Sequence, residues 1–199
     1  MRCRPATRTR TANPVTSTRS SPSGDREPTS TTRPGGLEFR LAGEGDWPAI
    51  WPFWHPIVAA GDTFCYDPQL GYDAGRQLWF GAPPDQVWLV TEPGGATALG
   101  SYRIGPNKAG PGAHIGTASY MVAEAARGRG VGRAMVLHCL EQGRAAGFAG
   151  IQFNAVAASN TAAVRLYRDL GFEVIGTVPG GFAHPEQGFV DLLIMFHEF

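Results

Sequence analysis

The densest chemistry in this 199-residue chain lies in one short run, Arg127-Gly128-Arg129-Gly130-Val131-Gly132-Arg133. The alternating glycines leave backbone amides free of side-chain obstruction, and the arginines add positive charge to the same few residues. An apolar run precedes the loop and an amphipathic one follows, so it sits between a strand and a helix. Amides at a helix start converge on an anion, and the helix dipole favours negative charge there. The chemistry expected is a diphosphate cradle, and spacing separates three readings of it. A P-loop needs Gly-Lys-Ser/Thr, whereas Gly132 is followed by Arg133 and Ala134. A dinucleotide fingerprint needs G-x-G-x-x-G, and here the third glycine comes one place early, after the fourth strand instead of at the head of the domain. A plain glycine-rich turn is the third reading.

A second block follows downstream: Asn160-x-x-Ala163-x-x-Leu166-Tyr167-x-x-Leu170-Gly171-Phe172. Ala163, Leu166, Tyr167 and Leu170 fall at i, i+3, i+4 and i+7, one apolar helix stripe. The Tyr167 ring therefore has a packing role, which leaves its hydroxyl able to reach a site. The spacing Arg127-x-x-Gly130-x-Gly132 followed by this block resembles the acyl-CoA motifs of the GNAT superfamily of acetyltransferases. The resemblance covers residues 37–199 and is carried by 113–177.

That resemblance implies an α+β fold: a mixed, mostly antiparallel sheet of about seven strands, helices on both faces, splayed between its fourth and fifth strands. It implies an N-acetyltransferase using acetyl-CoA as cosubstrate, without a metal, and passing the acetyl group directly to an amine. By motif position, the coenzyme contacts are Met121, Val122, Arg127, Gly128, Arg129, Gly130, Val131, Gly132 and Arg133, with Asn160 near the pantetheine arm. Tyr167 matches the donor to the departing sulfur. A phenol of pKa ~10 giving its proton to a thiolate of pKa ~8.5 is uphill by about 2 kcal/mol, so a tightening hydrogen bond is the expected role. The amine must be neutral to attack, which near neutral pH costs about 4–5 kcal/mol for an alkyl amine of pKa ~10.4. Glu124, His114, Tyr120 and His184 are the candidate bases.

Gly112-Ala113-His114, Ser119-Tyr120-Met121-Val122, Gln152-Phe153-Asn154 and Gly181-Phe182-x-His184-Pro185 resemble the GNAT subgroup acting on azetidine-2-carboxylate and proline-like amino acids. In that subgroup two asparagines hold the substrate. Asn154 matches one and stands beside Tyr167 as a catalytic candidate; Thr117 occupies the place of the other and offers a shorter, different donor and acceptor set. The substrate positions expected are Thr63, Phe64, Thr117, Asn154 and His184, His184 covering the pocket from its loop. A homodimer is also implied. The acceptor expected is a small molecule: an amino acid, an analogue or an amine-bearing toxin. A non-catalytic acyl-CoA-binding sensor and a protein or peptide N-acetyltransferase are the alternatives.

These residues need elements to hold them. Residues 1–36, rich in Arg, Ser, Thr and Pro, lack apolar periodicity and read as a disordered tail; the domain begins at 37. Strands are expected at 37–41, 87–91, 98–104, 113–122, 150–156, 172–177 and 189–196, with an irregular loop at 178–188. Helices are expected at 68–80, 130–146 and 160–170, and from Asp46 through Trp47, Ile50, Trp51, Trp54 and Val58. Pro48, Pro52 and Pro56 should break or bend that last helix beyond its first turn. Trp47, Trp51, Phe53 and Trp54 read as core, and His138 as packed among apolar neighbours.

Composition excludes other classes. The tail holds seven arginines and two acids, so residues 37–199 carry ten basic and fifteen acidic side chains, which argues against a nucleic-acid surface. Cys3, Cys65 and Cys139 lack C-x-x-C spacing, as expected in a reducing compartment, the cytoplasm. The histidines form no metal-ligand pair, and no apolar run reaches the ~20 residues of a membrane span.

Overall fold

The computed structural model describes residues 31–33 and 36–199. Its centre is one mixed sheet in the order β1-β2-β3-β4-β5-β6-β8-β7. The strands are β1 (Thr31–Arg33), β2 (Leu37–Leu41), β3 (Gln86–Thr91), β4 (Ala98–Pro106), β5 (Ile115–Val122), β6 (Gly150–Ala157), β7 (Glu173–His184) and β8 (Gly188–Glu198). All neighbours are antiparallel except β5 and β6, which pair in parallel at only two positions, Ile115 with Gly150 and Gly116 with Ile151. Past that short clasp the strands diverge. The splay expected between the fourth and fifth strands from 37 onward lies here.

The seven expected strands are present, with β1 added at the edge. Residues 31–33, read from composition as tail, pair with β2, so the sheet starts before Leu37. Residues 1–30 lie outside the described residues. The loop expected at 178–188 is mostly strand: β7 runs on to His184 because a register shift between Val178 and Phe182 absorbs Pro179-Gly180-Gly181 against β8. Glycines and a proline read as a break are accommodated as a bulge. β7 forms the sheet's outer edge, and the terminal hairpin leaves Ile175 57% and Phe189 82% exposed.

Side chains alternate across the sheet and serve two cores. On one face Val87, Leu89 and Met121 pack with Trp47, Ile50, Phe53, Trp54 and Val58 of α1 (Trp47–Ala59) and Trp79 of α2 (Tyr72–Phe80). On the other, Trp88, Val90, Tyr102 and Ile104 pack with α3 (Val131–Ala145), and Leu166 and Tyr167 of α4 (Thr161–Asp169) lie against the same core. His138 is buried there as expected, and it is also bonded: its Nδ1 lies 2.7 Å from the Tyr102 hydroxyl, and its ring stacks on Phe39.

The proline expectation for α1 is overturned. The helix runs unbroken through Pro52 and Pro56. An interior proline costs about 3 kcal/mol, but fully burying a large apolar side chain returns ~1.5–3 kcal/mol. Five residues of α1 are buried. Prolines at every fourth position also fall on one face, opposite that packing. α2 starts at Tyr72, later than 68, with Gly71 at its N-cap.

Candidate active site

The divergence of β5 from β6 opens a cleft of about 1340 Å³. Thr117, Ala118, Ser119, Tyr120, Met121 and Val122 form one wall and residues 153–157 the other. β6 shifts register against β8 between Phe153 and Val156, a bulge that turns Asn154 into the cleft. The cleft then continues beneath α1 and the segment 62–66.

Arg127 lines the cleft at the start of the glycine loop, whose residues 128–132 are not among the lining residues. Gly128 and Gly130 adopt φ of +75° and +78°, left-handed conformations that favour glycine, and a Cβ built on either would meet nothing. The first helical bond of α3 runs from Ala134 N–H to the Gly130 carbonyl at 3.0 Å. The amides of Val131, Gly132 and Arg133 therefore have no partner within the helix. These free donors, the open space over the glycines and the unpaired edge of β5 suit a ligand with a diphosphate and a strand-like amide arm. The side chains divide differently. Arg127 lines the cleft, whereas Arg129 binds Glu92 at 2.5 Å and borders a separate small hollow with Leu37, Pro93 and Val131. Arg133 is exposed and does not line the cleft. The local sequence placed three arginines together; the helix turn points them apart.

Across the cleft, Asn160 caps α4, its Oδ1 accepting from Ala163 N–H at 3.2 Å, and it lines the wall with Leu166 and Tyr167. The Tyr167 ring packs 4.6 Å from Phe153 and 5.8 Å from Phe172. Burial pushes its phenol pKa up, as does neighbouring Cys139, so it is a hydrogen-bond donor throughout the neutral range. Tyr120 is raised too, first by burial and then by Cys139. That argues against it as the base, because a phenol can take up a proton only when already ionised, and the shift favours its neutral form.

The inner end gathers Asp62, Thr63, Phe64, Cys65, Tyr66, Arg103, Thr117 and Asn154. Thr63 Oγ1 is buried without a hydrogen-bond partner, an orphan aimed at nothing in the protein. Asn154 Nδ2 donates to Asn107 Oδ1 at 2.6 Å, and its Oδ1 accepts from Gln152 at 2.8 Å. One N–H and one lone pair of its amide remain for a ligand.

His114 and His184 are not brought to the cleft. His114 is exposed and bonds the Pro111 carbonyl at 3.0 Å; His184 sits at the end of β7, where Nδ1 accepts from the amides of Glu186 and Gln187 at 3.1 and 3.3 Å. The expected cover from His184 depended on a loop that is strand. Glu124 does line the cleft.

Arg103 was missed by sequence reasoning. It donates to the Leu78 carbonyl at 2.6 Å and to Asp85 at 2.8 Å, which fixes the guanidinium while leaving further N–H groups free. A single charge between buried Tyr102 and Ile104 was the available signal, since period-two alternation turns it toward the α1 face. Among the described residues no group of three or more His, Cys, Asp or Glu side chains could hold a metal ion, and no helix is long and apolar enough to cross a membrane.

Residues 51–172 match the acetyltransferase (GNAT) family. The chain is 32% identical over 146 residues to the L-methionine sulfoximine/L-methionine sulfone acetyltransferase of Pseudomonas paraeruginosa, 71% of this chain and 83% of that one. It is 31% identical over 102 residues to N-acetyltransferase aca1 of Schizosaccharomyces pombe, covering 51% of this chain but only about half (49%) of that relative's length. A solved GCN5-related N-acetyltransferase from Kribbella flavida superposes with a TM-score of 0.78 at 48% identity, over 82% of this chain and 98% of that one.

Proposed function

Because the chain belongs to the acetyltransferase (GNAT) family, we propose that it passes the acetyl group of acetyl-CoA directly to the amine of a small molecule, an amino acid or amino-acid analogue. The observation that carries this is the continuity of the cleft. Its lining runs from Arg127 and the open edge of β5 without a break to an inner end walled by α1 and residues 62–66, and the free amides of α3 follow Arg127 in the same loop. That inner end holds one carboxylate, Asp62, and one guanidinium, Arg103, together with the neutral donors and acceptors of Thr63, Thr117 and Asn154. Opposite charges flanking neutral polar groups suit a ligand carrying both an amine and a carboxylate. The name of the P. paraeruginosa relative supports the same class.

When bound, acetyl-CoA supplies an activated thioester; the chain's own residues position, discharge and exclude. The amides of Val131, Gly132 and Arg133, with Arg127, hold the diphosphate. The free edge of β5 at Met121 and Val122 aligns the arm, and Asn160 caps the opposite wall. Tyr167 donates its hydroxyl hydrogen bond to the leaving sulfur, and its raised pKa makes complete early proton transfer steeper than for an ordinary phenol. Asp62 and Glu124 are the carboxylates available to take the amine's proton. The exposed edge strand β7 and Phe189 offer a surface for a second copy, so we expect a homodimer by light scattering and a monomer for Phe189→Glu.

Incubation with acetyl-CoA and a panel of amino acids, their sulfone and sulfoximine analogues, simple amines and peptides, following free thiol, tests the reading. Thiol release is expected with amines that carry a nearby carboxylate. Release only with peptides, or none with any amine, would sink it.

A further inference from the structure

Two of the three prolines of α1, Pro52 and Pro56, line the cleft and remove donors from the helix. A proline nitrogen carries no hydrogen, so the carbonyl four residues earlier loses its α-helical donor. Pro56 thus leaves the Pro52 carbonyl without that donor, and Pro52 leaves the Pro48 carbonyl so. The Pro56 carbonyl is not freed, because it accepts from Ala60 N–H at 3.0 Å. Pro52 and Pro56 are both exposed and both line the cleft. Helix carbonyls point along the axis toward the next turn. Ideal helix geometry directs the Pro52 carbonyl between these two rings, and that of Pro48, a residue that does not itself line the cleft, toward the level of Pro52, about 6 Å away along the helix.

We propose that these two carbonyls form a subsite for N–H groups of the acceptor, the Pro52 carbonyl holding the attacking amine. The proposal rests on the acetyl-transfer reading. A carbonyl oxygen accepts from an N–H whether the amine is charged or neutral, and it does not take a proton, so it orients the nitrogen without acting as its base. As the nitrogen attacks, positive charge grows on it, and an acceptor dipole already in place stabilises that charge. The neighbouring orphan Thr63 Oγ1 adds a third polar atom at the same end of the cleft. At ~6 Å the two carbonyls are too far apart to hold one nitrogen together, so the Pro48 carbonyl engages a second donor on the same acceptor.

The test uses the opposing effects of restoring a donor. Pro56→Ala supplies an N–H to the Pro52 carbonyl, and Pro52→Ala supplies one to the Pro48 carbonyl. Each relieves an interior proline, so Tm should rise by about 5 °C. With the best amine of the panel, kcat/KM for the amine should nevertheless fall about tenfold in Pro56→Ala and less in Pro52→Ala, while KM for acetyl-CoA stays constant. Unchanged kcat/KM overturns the subsite. So does a loss of activity accompanied by a fall in Tm or a shift in the acetyl-CoA KM, which marks the prolines as packing residues. If the unaltered chain turns over no amine, the acetyl-transfer reading fails, and the subsite is then decided by calorimetry of the same amines against the coenzyme A complex. Binding abolished in Pro56→Ala upholds it there, and binding unaltered, or no binding by the parent chain, overturns it.

Discussion

Tyr167 lines the cleft with its ring packed against the stacked pair Phe153 and Phe172, so removing the oxygen alone leaves the packing intact. Tyr167→Phe should lower kcat about 100-fold, the scale of losing one charge-stabilising donor, with acetyl-CoA affinity within twofold. Steady-state kinetics beside calorimetry measures both, and an unchanged kcat would assign Tyr167 to packing alone. Gly132 separates fold from binding in the same way. A Cβ there would lie 3.7 Å from Leu166 and Val122, an ordinary contact, so Gly132→Ala should fold with unaltered Tm. Its amide faces the place assigned to the diphosphate, and the added methyl should weaken acetyl-CoA about tenfold. Tight binding by a well-folded Gly132→Ala protein would move the diphosphate elsewhere.

Among the elements, α1 roofs the acceptor end, and its entry is pinned by Asp46. That carboxylate is bonded by Arg40 through two contacts, at 2.9 and 2.5 Å, and by the Gly43 amide at 2.9 Å. The Arg40 hydrogen bond, first among its causes, holds the Asp46 pKa below its ordinary 3.8. A carboxylate lowered on folding adds stability that is fully present above its unfolded pKa and is lost as pH falls through the folded value. Asp46→Asn should therefore cost about 1 kcal/mol at neutral pH, discounted for the pair's partial exposure, and almost nothing once both forms are protonated. Urea melts near pH 7 and near pH 2.5 read the difference; an equal cost at both would deny the ion pair its role. The elements also show where sequence reading stops. The conformation of the glycine loop was legible because left-handed glycines before a helix start are local backbone features, and the stripe through Tyr167 because helix periodicity is local. The prolines of α1 misled because burial of Trp47 and Trp54, set by partners far along the chain, outweighs the local penalty. His184 was misplaced for a similar reason: pairing with β8 turned an apparent loop into strand. The direction of Arg129 hung on Glu92, which no local pattern reveals.

For the molecule as a whole, the neutral groups buried between α3, β5 and α4 set an alkaline limit. Burial pushes Cys139 up from 9.0 to about 12, and it raises Tyr120 and Tyr167 above their ordinary 10.0. An acid whose pKa rises on folding protects the fold below its unfolded value, and that stability is lost as pH climbs from there toward the folded value. Tm should decline from about pH 9 upward, the earliest part through Cys139. Cys139→Ala, compared with the parent at pH 8 and pH 10, should lose less between the two; an equal loss would exclude the thiol as a contributor.

The clasp of β5 and β6 at Ile115–Gly150 and Gly116–Ile151 divides the sheet into two ladders that share only two registers. Each register sets a glycine against an isoleucine, and a Cβ on Gly116 would come 2.7 Å from Ile151, so the contact is close but short. About every second amide of β5 beyond it faces the gap with no strand to bond. In deuterated solvent the ligand-free protein should exchange those amides of residues 117–122 far faster than those turned toward β4. Bound acetyl-CoA should slow them selectively, since it would serve as the missing rung between the ladders. The two ladders would then be bridged beyond the clasp only while acetyl-CoA is bound.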